Sequence, residues 1–351
     1  MTAIGFAGTA KNTGKTTSLN AFHHFLRQQG YRCLLTSIGL DGEAYDQLTY
    51  LPKPRIEVYP GDWVITASEC YSHSHVPYRR HQTFPIHTPL GEPALLEITG
   101  HGDILVAGPS TAGKLQTILD SLSDSTIDYV LVDGALNRLF PLSLCHKLVL
   151  TTGAARNLNP ALLADEIRSL THWINSFSLI SPPDSLIPPG LYRRNQLVHP
   201  LDSSHTPNLE ERTIHRLLEI MQECPDHYSL SWNRLIFWDS LQSILSPAWG
   251  STTLSILLDH PFCIMGEIRA FPVERLVKAS SAITLLARKI TRVMLVTLNP
   301  FYPQPVYASY RKGSIDTHDL QTAFHQDLSI PAIDLLRIGP EDQARFFSLL
   351  L

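Results

Sequence analysis

The chain has 351 residues and a formal net charge of -4, with 17% of its residues charged. This length allows two domains or one large α/β unit. Lys and Arg are scattered, so no basic surface for nucleic acid is indicated. No apolar run approaches the ~20 residues that cross a bilayer, no signal-peptide pattern occurs, and five cysteines without a Cys-x-x-Cys pair favour reduced thiols. We therefore expect a cytoplasmic protein with neither nucleic acid nor a membrane as its partner.

The first predicted unit along the chain is a strand, a loop, a helix and a second strand. Residues 3–7 form a short apolar run that is typical of a buried parallel strand. Residues 16–29 have Leu19, Phe22 and Leu26 at helical spacing, and Gly30 is a typical helix stop. Residues 33–37 predict the second strand, so the segment has the size and order of a β-loop-α-β unit.

The loop of this unit, residues 8–17, reads GTAKNTGKTT. The usual phosphate-binding pattern is G-x-x-x-x-G-K-[ST]. Gly14, Lys15 and Thr16 fit it, but its first glycine is expected at Thr9 and stands one residue earlier, at Gly8. Main-chain N–H groups of such a loop and the helix N-terminus form a cradle for phosphate oxygens, while Lys15 would reach the β- and γ-phosphates of ATP and the Thr16 hydroxyl would hold Mg²⁺. The predicted nucleotide-binding residues are Gly8, Thr9, Ala10, Lys11, Asn12, Thr13, Gly14, Lys15, Thr16 and Thr17. The alternative is a Gly/Thr-rich turn before an ordinary helix.

Two acidic positions complete the predicted site. Residues 128–138 read DYVLVDGALNR, which predicts a strand with Asp133 at its carboxyl end. An acidic residue there, facing the loop, can hold Mg²⁺ or its water shell. Asp41, with Glu43 close behind, follows the second strand; the resemblance to the P-loop class named below implies that an acidic residue at this position touches Mg²⁺ or the attacking nucleophile. We predict Lys15, Asp41 and Asp133 as catalytic residues and Thr16, Asp41 and Asp133 as Mg²⁺ ligands; the alternative for each aspartate is an ordinary turn.

Residues 56–109 predict a β-rich insertion, because short apolar runs there are separated by Gly and Pro. A helix at 112–122 and a strand at 146–151 are expected after it. Within the insertion lies a local group of possible ligands, whose spacing resembles no structural zinc site. A solvated loop is the favoured interpretation of this group, which comprises Cys70, His73, His75 and His81.

Six prolines within residues 181–208 indicate a linker or a long surface loop. We therefore predict a P-loop nucleotide-binding domain at 1–178, a Pro-rich linker at 179–208 and a smaller α/β domain at 209–351. In the last domain, helices are expected at 209–224 and near 273–286 and 317–327, and strands at 234–238, 253–258, 262–265 and 293–297. Asp259-His260 and Asn299-Pro300 are interpreted as turns.

The loop G-T-x-x-x-x-G-K-T and the strand end V-D-G-A resemble those of dethiobiotin synthetases and cobyrinic acid amidating synthetases. These enzymes belong to a class of P-loop NTPases that also includes the partition ATPases. The resemblance implies a mainly parallel sheet flanked by helices. In that class a second lysine often reaches phosphates across a homodimer interface. Lys11 is placed one residue short of that position, so a dimer-specific role and a solvated loop lysine both remain open for it.

Several phrases, in order, resemble a narrower family: GTAKNTGKTT, TSIGLDGEAYDQ, KPRI (53–56), HTPLGE (87–92), AGPST (107–111) and VLVDGALNR, followed by TLNPFYPQPVYASY near the end. This family is the small P-loop subunit of lysine 5,6-aminomutase reactivase. The resemblance implies an ATPase with a chaperone-like role. Its implied partners are a second ATPase subunit related to MutS proteins and an adenosylcobalamin-dependent aminomutase whose damaged cofactor must be exchanged.

Two other functions remain open from the sequence. One is an ATP-dependent ligase of the dethiobiotin type, for which Ser37, Asp41 and Glu43 would contact a small carboxylate or carbamate. The other is a GTP-driven metal chaperone, which the absence of an Asn-Lys-x-Asp guanine motif disfavours. A glutamine amidotransferase is also disfavoured, because no Cys/His pair of that kind is evident in the C-terminal half.

Overall fold

The computed structural model describes residues 1–38, 55–135, 140–180, 187–201, 209–245, 251–265, 282–306, 309–325, 328 and 330–351. The chain forms two compact units, and the first is discontinuous. Unit 1 comprises Met1–Ala164 together with Thr291–Leu351, and unit 2 comprises Asp165–Ile290. The division therefore differs from the predicted domain limits at 178 and 208, because the last part of the chain belongs to the first unit.

The strands of the described residues are, in chain order, β1 (Thr2–Gly8), β2 (Cys33–Ser37), β3 (Ile56–Val58), β4 (Trp63–Ala67), β5 (Tyr78–Thr83), β6 (Pro93–Ile98), β7 (Gly102–Ile104), β8 (Tyr129–Ala135), β9 (Lys147–Gly153), β10 (Phe177–Leu179), β11 (Gly190–Arg193), β12 (Gln196–Pro200), β13 (His227–Trp232), β14 (Ile236–Phe237), β15 (Thr253–Leu258), β16 (Ile264–Met265), β17 (Ile283–Ala287), β18 (Arg292–Asn299), β19 (Phe301–Val306), β20 (Ser309–Ser314) and β21 (Ala332–Ile333).

The α-helices of the same residues are α1 (Lys15–Gln28), α2 (Ser68–Ser72), α3 (Ala112–Asp120), α4 (Pro160–Asn175), α5 (Glu211–Glu223), α6 (Trp238–Leu245), α7 (Thr317–His325) and α8 (Pro340–Phe347). Short 3₁₀ turns occur at Phe140–Leu144, Pro261–Cys263 and Ser348–Leu350. None of the helices in the described part of the chain has the length and hydrophobicity needed to span a bilayer.

Unit 1 is built on a nine-stranded sheet in the order β21-β18-β9-β1-β8-β2-β4-β6-β5. The seven strands from β21 to β4 are parallel to their neighbours, and β6 and β5 are antiparallel. The protein is thus of the mixed α/β class, with a large, mostly parallel sheet flanked by helices. The strands of residues 56–109 continue this sheet through β4, β6 and β5, and only β3 and β7 pair separately.

The central strand β1 is buried because its residues are small or apolar on both faces. Helix α1 covers one face, where Leu19, Phe22 and Leu26 are fully buried in the core. Phe22 also packs edge-on against Phe347 of α8, with ring centroids 5.3 Å apart. The predicted β1, α1 and β2 are confirmed to within a residue or so, because strong local periodicity and deep burial agree there.

Unit 2 contains a six-stranded sheet in the order β10-β17-β15-β13-β11-β12. The strands from β10 to β13 are parallel, whereas β11 and β12 form an antiparallel hairpin. This hairpin occupies part of the predicted Pro-rich linker. Arg194 and Asn195 turn it with positive φ angles of 48° and 68°, as two-residue hairpin turns require. Residues 181–186 and 202–208 of that linker lie outside the described residues.

Several predicted elements differ from the structure. A helix was expected at 273–286, and this prediction is wrong for its last residues. Ile283–Ala287 is a strand with alternating burial that runs parallel to β15 and β10. Residues 266–281 lie outside the described residues. The strand expected at 234–238 is limited to Ile236–Phe237, and helix α6 begins at Trp238. The strand expected at 293–297 exists, but as β18 it pairs with β9 in the sheet of unit 1.

Candidate functional site

The loop that follows β1 lies at the carboxyl edge of the unit 1 sheet. β1 has β8 on one side and β9 on the other, all parallel, with Gly8 level with Ala135 and Thr151. The carboxyl ends of these strands therefore meet around the loop. This edge is where open parallel sheets commonly bind ligands.

The main chain of the loop adopts left-handed conformations at two positions. Asn12 has φ 64° and Gly14, directly before α1, has φ 90°. A non-glycine residue in this region is uncommon and has to be held by its surroundings. The loop therefore has two left-handed positions within three residues, directly before α1.

The unusual glycine spacing follows from packing beneath the loop. Gly8 still pairs within the sheet, and a Cβ atom there would lie 2.6 Å from Thr13 Oγ1. Thr9 donates its N–H to the Thr151 carbonyl at 2.9 Å and its hydroxyl to Thr152 Oγ1 at 2.8 Å. The loop thus closes over Gly8, while the residue after it is tied to β9.

Thr13 has a similar supporting role. Its buried hydroxyl donates to the Ala10 carbonyl at 3.0 Å and lies 3.0 Å from Thr151 Oγ1. The side chains of Thr9 and Thr13 therefore support the loop from below.

Helix α1 begins directly after the loop and carries no acidic residue in its first turn. Its first intrahelical hydrogen bond runs from the Ser18 N–H to the Gly14 carbonyl at 2.9 Å. Helix geometry gives the amides before this one no acceptor within the helix. The N-terminal end of α1 thus favours negative charge.

Two predicted site residues meet beside this helix end. Lys15 Nζ lies 3.3 Å from Asp133 Oδ1, and the two side chains are 16% and 8% exposed. Asp133 stands near the end of β8, level with Phe6 of β1, so the loop that follows β1 brings Lys15 of α1 beside this carboxylate. A charge pair with so little exposure is costly to desolvate and is weak evidence for a purely stabilising role.

The remaining predicted residues differ in exposure or lie outside the described part of the chain. Ala10, Asn12, Thr16 and Thr17 are half-buried and Lys11 is exposed. Asp41 and Glu43 lie outside the described residues, so the structure gives no position for either.

The hydroxyl of Ser37, the last residue of β2, bonds to main-chain groups of residues 106–108, which lie shortly before α3. It donates to the Val106 carbonyl at 3.1 Å and accepts the Gly108 N–H at 2.9 Å. A Cβ atom on Gly108 would lie 2.0 Å from the Ser37 carbonyl oxygen. Ser37 therefore joins β2 to the chain that leads to α3.

Sequence reasoning missed the contribution of the end of β18. Asn299, interpreted from the sequence as a turn residue, donates its side-chain N–H to the Asn12 carbonyl at 2.8 Å. Two residues earlier, the Thr297 hydroxyl lies 2.8 Å from the hydroxyl of Ser18 in α1. The available signal was an apolar strand with polar residues at or just after its carboxyl end, a pattern that also occurs at β1 and β8. The predicted domain boundary, however, assigned this strand to a different domain from the loop.

The group of cysteine and histidines does not come together. Cys70 is buried, His73 bonds to the Glu69 carbonyl at 2.8 Å, and His81 bonds to Glu97 at 2.8 Å on another strand. His75 is exposed. Over the residues whose positions are described, no set of three or more His, Cys, Asp or Glu is arranged to hold a metal ion.

Comparisons of the chain with family models, with curated proteins and with solved structures found no match. The functional interpretation therefore depends on the loop, the helix end and the Lys15–Asp133 pair.

Proposed function

We propose that the protein binds and hydrolyses ATP with Mg²⁺ at the loop of residues 8–17 and uses this cycle to act on a protein partner. The observation that carries the proposal is the 3.3 Å contact between Lys15 Nζ and Asp133 Oδ1 beside the N-terminus of α1. A loop with the residues of a phosphate-binding motif, a lysine side chain and a carboxylate occur together there. Each is a common feature alone, and their combination favours phosphoryl chemistry.

Lys15 would neutralise charge on the β- and γ-phosphates, in addition to the main-chain amides and the end of α1. Before nucleotide binds, Asp133 neutralises the partly buried ammonium group, which keeps Lys15 at the helix end. When phosphate arrives, Lys15 can exchange one anionic partner for another at little cost in side-chain ordering. Catalysis would then depend mainly on positioning and electrostatic stabilisation.

The donor groups at the site fit Mg²⁺, which prefers hard oxygen ligands and retains several waters. The Thr16 hydroxyl and the Asp133 carboxylate would hold the ion or its water shell, and Asp41 remains a predicted third ligand. When bound, Mg²⁺ neutralises charge on the phosphates during transfer. Asp133 is buried at a strand end, so its orientation is already fixed by the sheet.

The resemblance to the small subunit of lysine 5,6-aminomutase reactivase supports a particular partner. In that role the protein would act with a MutS-like ATPase subunit to open a cobalamin-dependent aminomutase for cofactor exchange. Shifting such a complex from 1:99 to 99:1 in favour of the open state requires about 5.5 kcal/mol of differential nucleotide binding. One ATP molecule with several charge-assisted contacts can supply a free energy of this order.

The ligase alternative gains no support from Ser37. That function would use Ser37, Asp41 and Glu43 for a small substrate, but the Ser37 hydroxyl bonds to Val106 and Gly108. These two hydrogen bonds give Ser37 a structural role.

The central test is nucleotide binding by a Lys15→Ala variant. Titration calorimetry with Mg-ATP should show a loss of at least about a hundredfold in affinity, or about 2.7 kcal/mol, because the cation that faces phosphate is removed. Lys114→Ala is the matched control, since Lys114 is an exposed lysine of α3. Failure of the wild-type protein to bind Mg-ATP at millimolar concentration would overturn the proposal.

The partner is tested by affinity capture from native extract, with and without a non-hydrolysable ATP analogue. Nucleotide-dependent recovery of a cobalamin enzyme or a MutS-like subunit supports the proposed partner. Phosphate release triggered by a small carboxylate or diamine, with no protein partner present, would instead support the ligase.

A further inference from the structure

The carboxyl end of β18 forms part of the surroundings of the loop, although almost the whole chain separates the two in sequence. β18 runs parallel to β9, with Thr297 level with Thr151 and Asn299 level with Gly153. β9 in turn lies next to β1. The end of β18 therefore reaches the same edge of the sheet as the loop, on the side opposite to Asp133.

The main chain of Asn299 is held closely against β9. Its carbonyl accepts the Ala154 N–H at 2.9 Å. A Cβ atom on Gly153 would lie 1.9 Å from the Asn299 carbonyl oxygen, so this approach is possible only because residue 153 is glycine. Asn299 thus has a fixed backbone position at the site.

The side chain of Asn299 is held at its oxygen and bonds to the loop through its nitrogen. Oδ1 accepts the N–H of Phe301, the first residue of β19, at 3.1 Å. Nδ2 donates to the carbonyl of Asn12 at 2.8 Å. The amide group therefore bridges the loop and the start of the β19–β20 hairpin.

The loop residues that this bridge contacts are the ones with unusual main-chain conformations. Asn12 has φ 64° and Gly14 has φ 90°. A Cβ atom on Gly14 would lie 3.7 Å from Asn299 Cβ, so the asparagine packs along this part of the loop. Left-handed residues of this kind persist where their surroundings hold them in place, and the bond to the Asn12 carbonyl is such a restraint.

We propose that Asn299 is a positioning residue of the nucleotide site, which fixes the loop of residues 8–17 in its phosphate-binding shape by holding the Asn12 carbonyl. This inference rests on the proposed ATP function. Asn299 acts through the loop, without contact to the phosphates. Its removal leaves Lys15 and Asp133 in place but lets the loop sample other conformations, so nucleotide must first select the binding shape and its apparent affinity falls.

The test is Mg-ATP affinity of Asn299→Ala, measured by titration calorimetry beside thermal unfolding. We expect about a tenfold loss of affinity, which corresponds to about 1.4 kcal/mol. In steady-state hydrolysis, KM should rise while kcat stays within about twofold, because the loop reaches its normal shape once nucleotide is bound.

Asn20→Ala is a closely matched control. Asn20 also bridges two main-chain groups, since its Nδ2 donates to the Arg55 carbonyl at 2.9 Å and its Oδ1 accepts the Glu57 N–H at 3.3 Å. This bridge lies on α1 away from the loop, so its loss should lower the melting temperature and leave ATP affinity unchanged.

The outcomes separate this inference from the proposed function. If wild type binds Mg-ATP, Lys15→Ala does not, and Asn299→Ala binds as wild type does, the positioning role is wrong while the ATP function stands. Equal affinity losses in Asn299→Ala and Asn20→Ala would also overturn it, because general destabilisation would then explain both. If wild type binds no nucleotide, the proposed function itself fails.

Discussion

At the carboxyl edges of the two main sheets, the polar side chains that follow the strands have different kinds of partner. In unit 1, β1 ends in a loop that leaves a helix N-terminus beside a lysine and an aspartate. In unit 2, β15 is followed by Asp259 and His260, whose side chains bond to groups of the same unit. Asp259 pairs with Arg288, and His260 Nδ1 accepts the Phe262 N–H at 3.0 Å.

The two edges also differ in how deeply their polar side chains are buried. His260 is 2% exposed, and this burial, with a smaller effect of the Lys289 charge, lowers its pKa from 6.5 to about 3. A neutral histidine enclosed in this way contributes to packing and hydrogen bonding. By comparison, Lys15 and Asp133 contact each other at the carboxyl edge of the unit 1 sheet, with side chains that are 16% and 8% exposed.

A parallel sheet does not by itself define a site. Both units present several strand ends at one edge, as doubly wound folds do. A binding site additionally needs a loop whose main chain is held open by glycine and by neighbouring strands, and charges able to change partners. The following predictions test this distinction.

The largest effect is expected for Asp133→Asn, which removes the anion but keeps the shape of the side chain. ATP hydrolysis should fall by about a hundredfold or more, because the carboxylate proposed to organise Mg²⁺ is lost. Phosphate release should be measured across a Mg²⁺ titration. Asp128→Asn is the control, since Asp128 precedes the same strand at its other end and accepts the Arg32 N–H at 2.8 Å. Equal hydrolysis by both variants would contradict the assignment.

A smaller effect is expected for Gly8→Ala. The added Cβ would lie 2.6 Å from Thr13 Oγ1 and 3.2 Å from the Ala10 carbonyl oxygen, so the loop must move. Overpacking of this kind costs about 1–3 kcal/mol, and we expect Mg-ATP affinity to fall by about ten- to a hundredfold. Gly113→Ala in α3 meets no atom within 4 Å and should leave affinity unchanged. Normal binding by Gly8→Ala would show that the loop tolerates another shape.

The smallest effect concerns the edge of unit 2 and its dependence on pH. Because the folded pKa of His260 is about 3 and the ordinary value is 6.5, the unfolded chain binds the proton more readily between these values. The contribution of neutral His260 to the free energy of unfolding is therefore complete above about pH 6.5 and decreases as the pH falls towards 3.

The measurement is the free energy of unfolding of wild type and His260→Gln from pH 8 to pH 4, followed by fluorescence of buried tryptophans such as Trp173. The variant should lose less stability on acidification than wild type. If the two stability curves are parallel, the pKa of His260 does not differ between the folded and unfolded states, and the prediction is wrong. Nucleotide affinity at pH 8 should be equal in the two proteins.

The elements that the sequence predicted well are those in which local pattern and burial agree. β1, α1 and β2 have continuous apolar runs or helical spacing over lengths that tertiary contacts did not override. The linker prediction was less successful, because residues 190–200 of this segment form a hairpin. At 283–287, apolar residues that also fit a helix form a strand in unit 2, since a short apolar run does not distinguish the two by periodicity.

The sequence by itself determined the order strand, loop, helix and the positions of Lys15 and Asp133, because these depend on neighbours within one short segment or on strand ends. The tertiary structure alone decided that β18 enters the first sheet and that Asn299 contacts Asn12, 287 residues away. It also decided that Thr9 and Thr13 bond beneath the loop to β9. Such contacts depend on the order of the strands in the sheet. Local sequence does not predict this order, because buried parallel strands have the same apolar pattern at every position in a sheet.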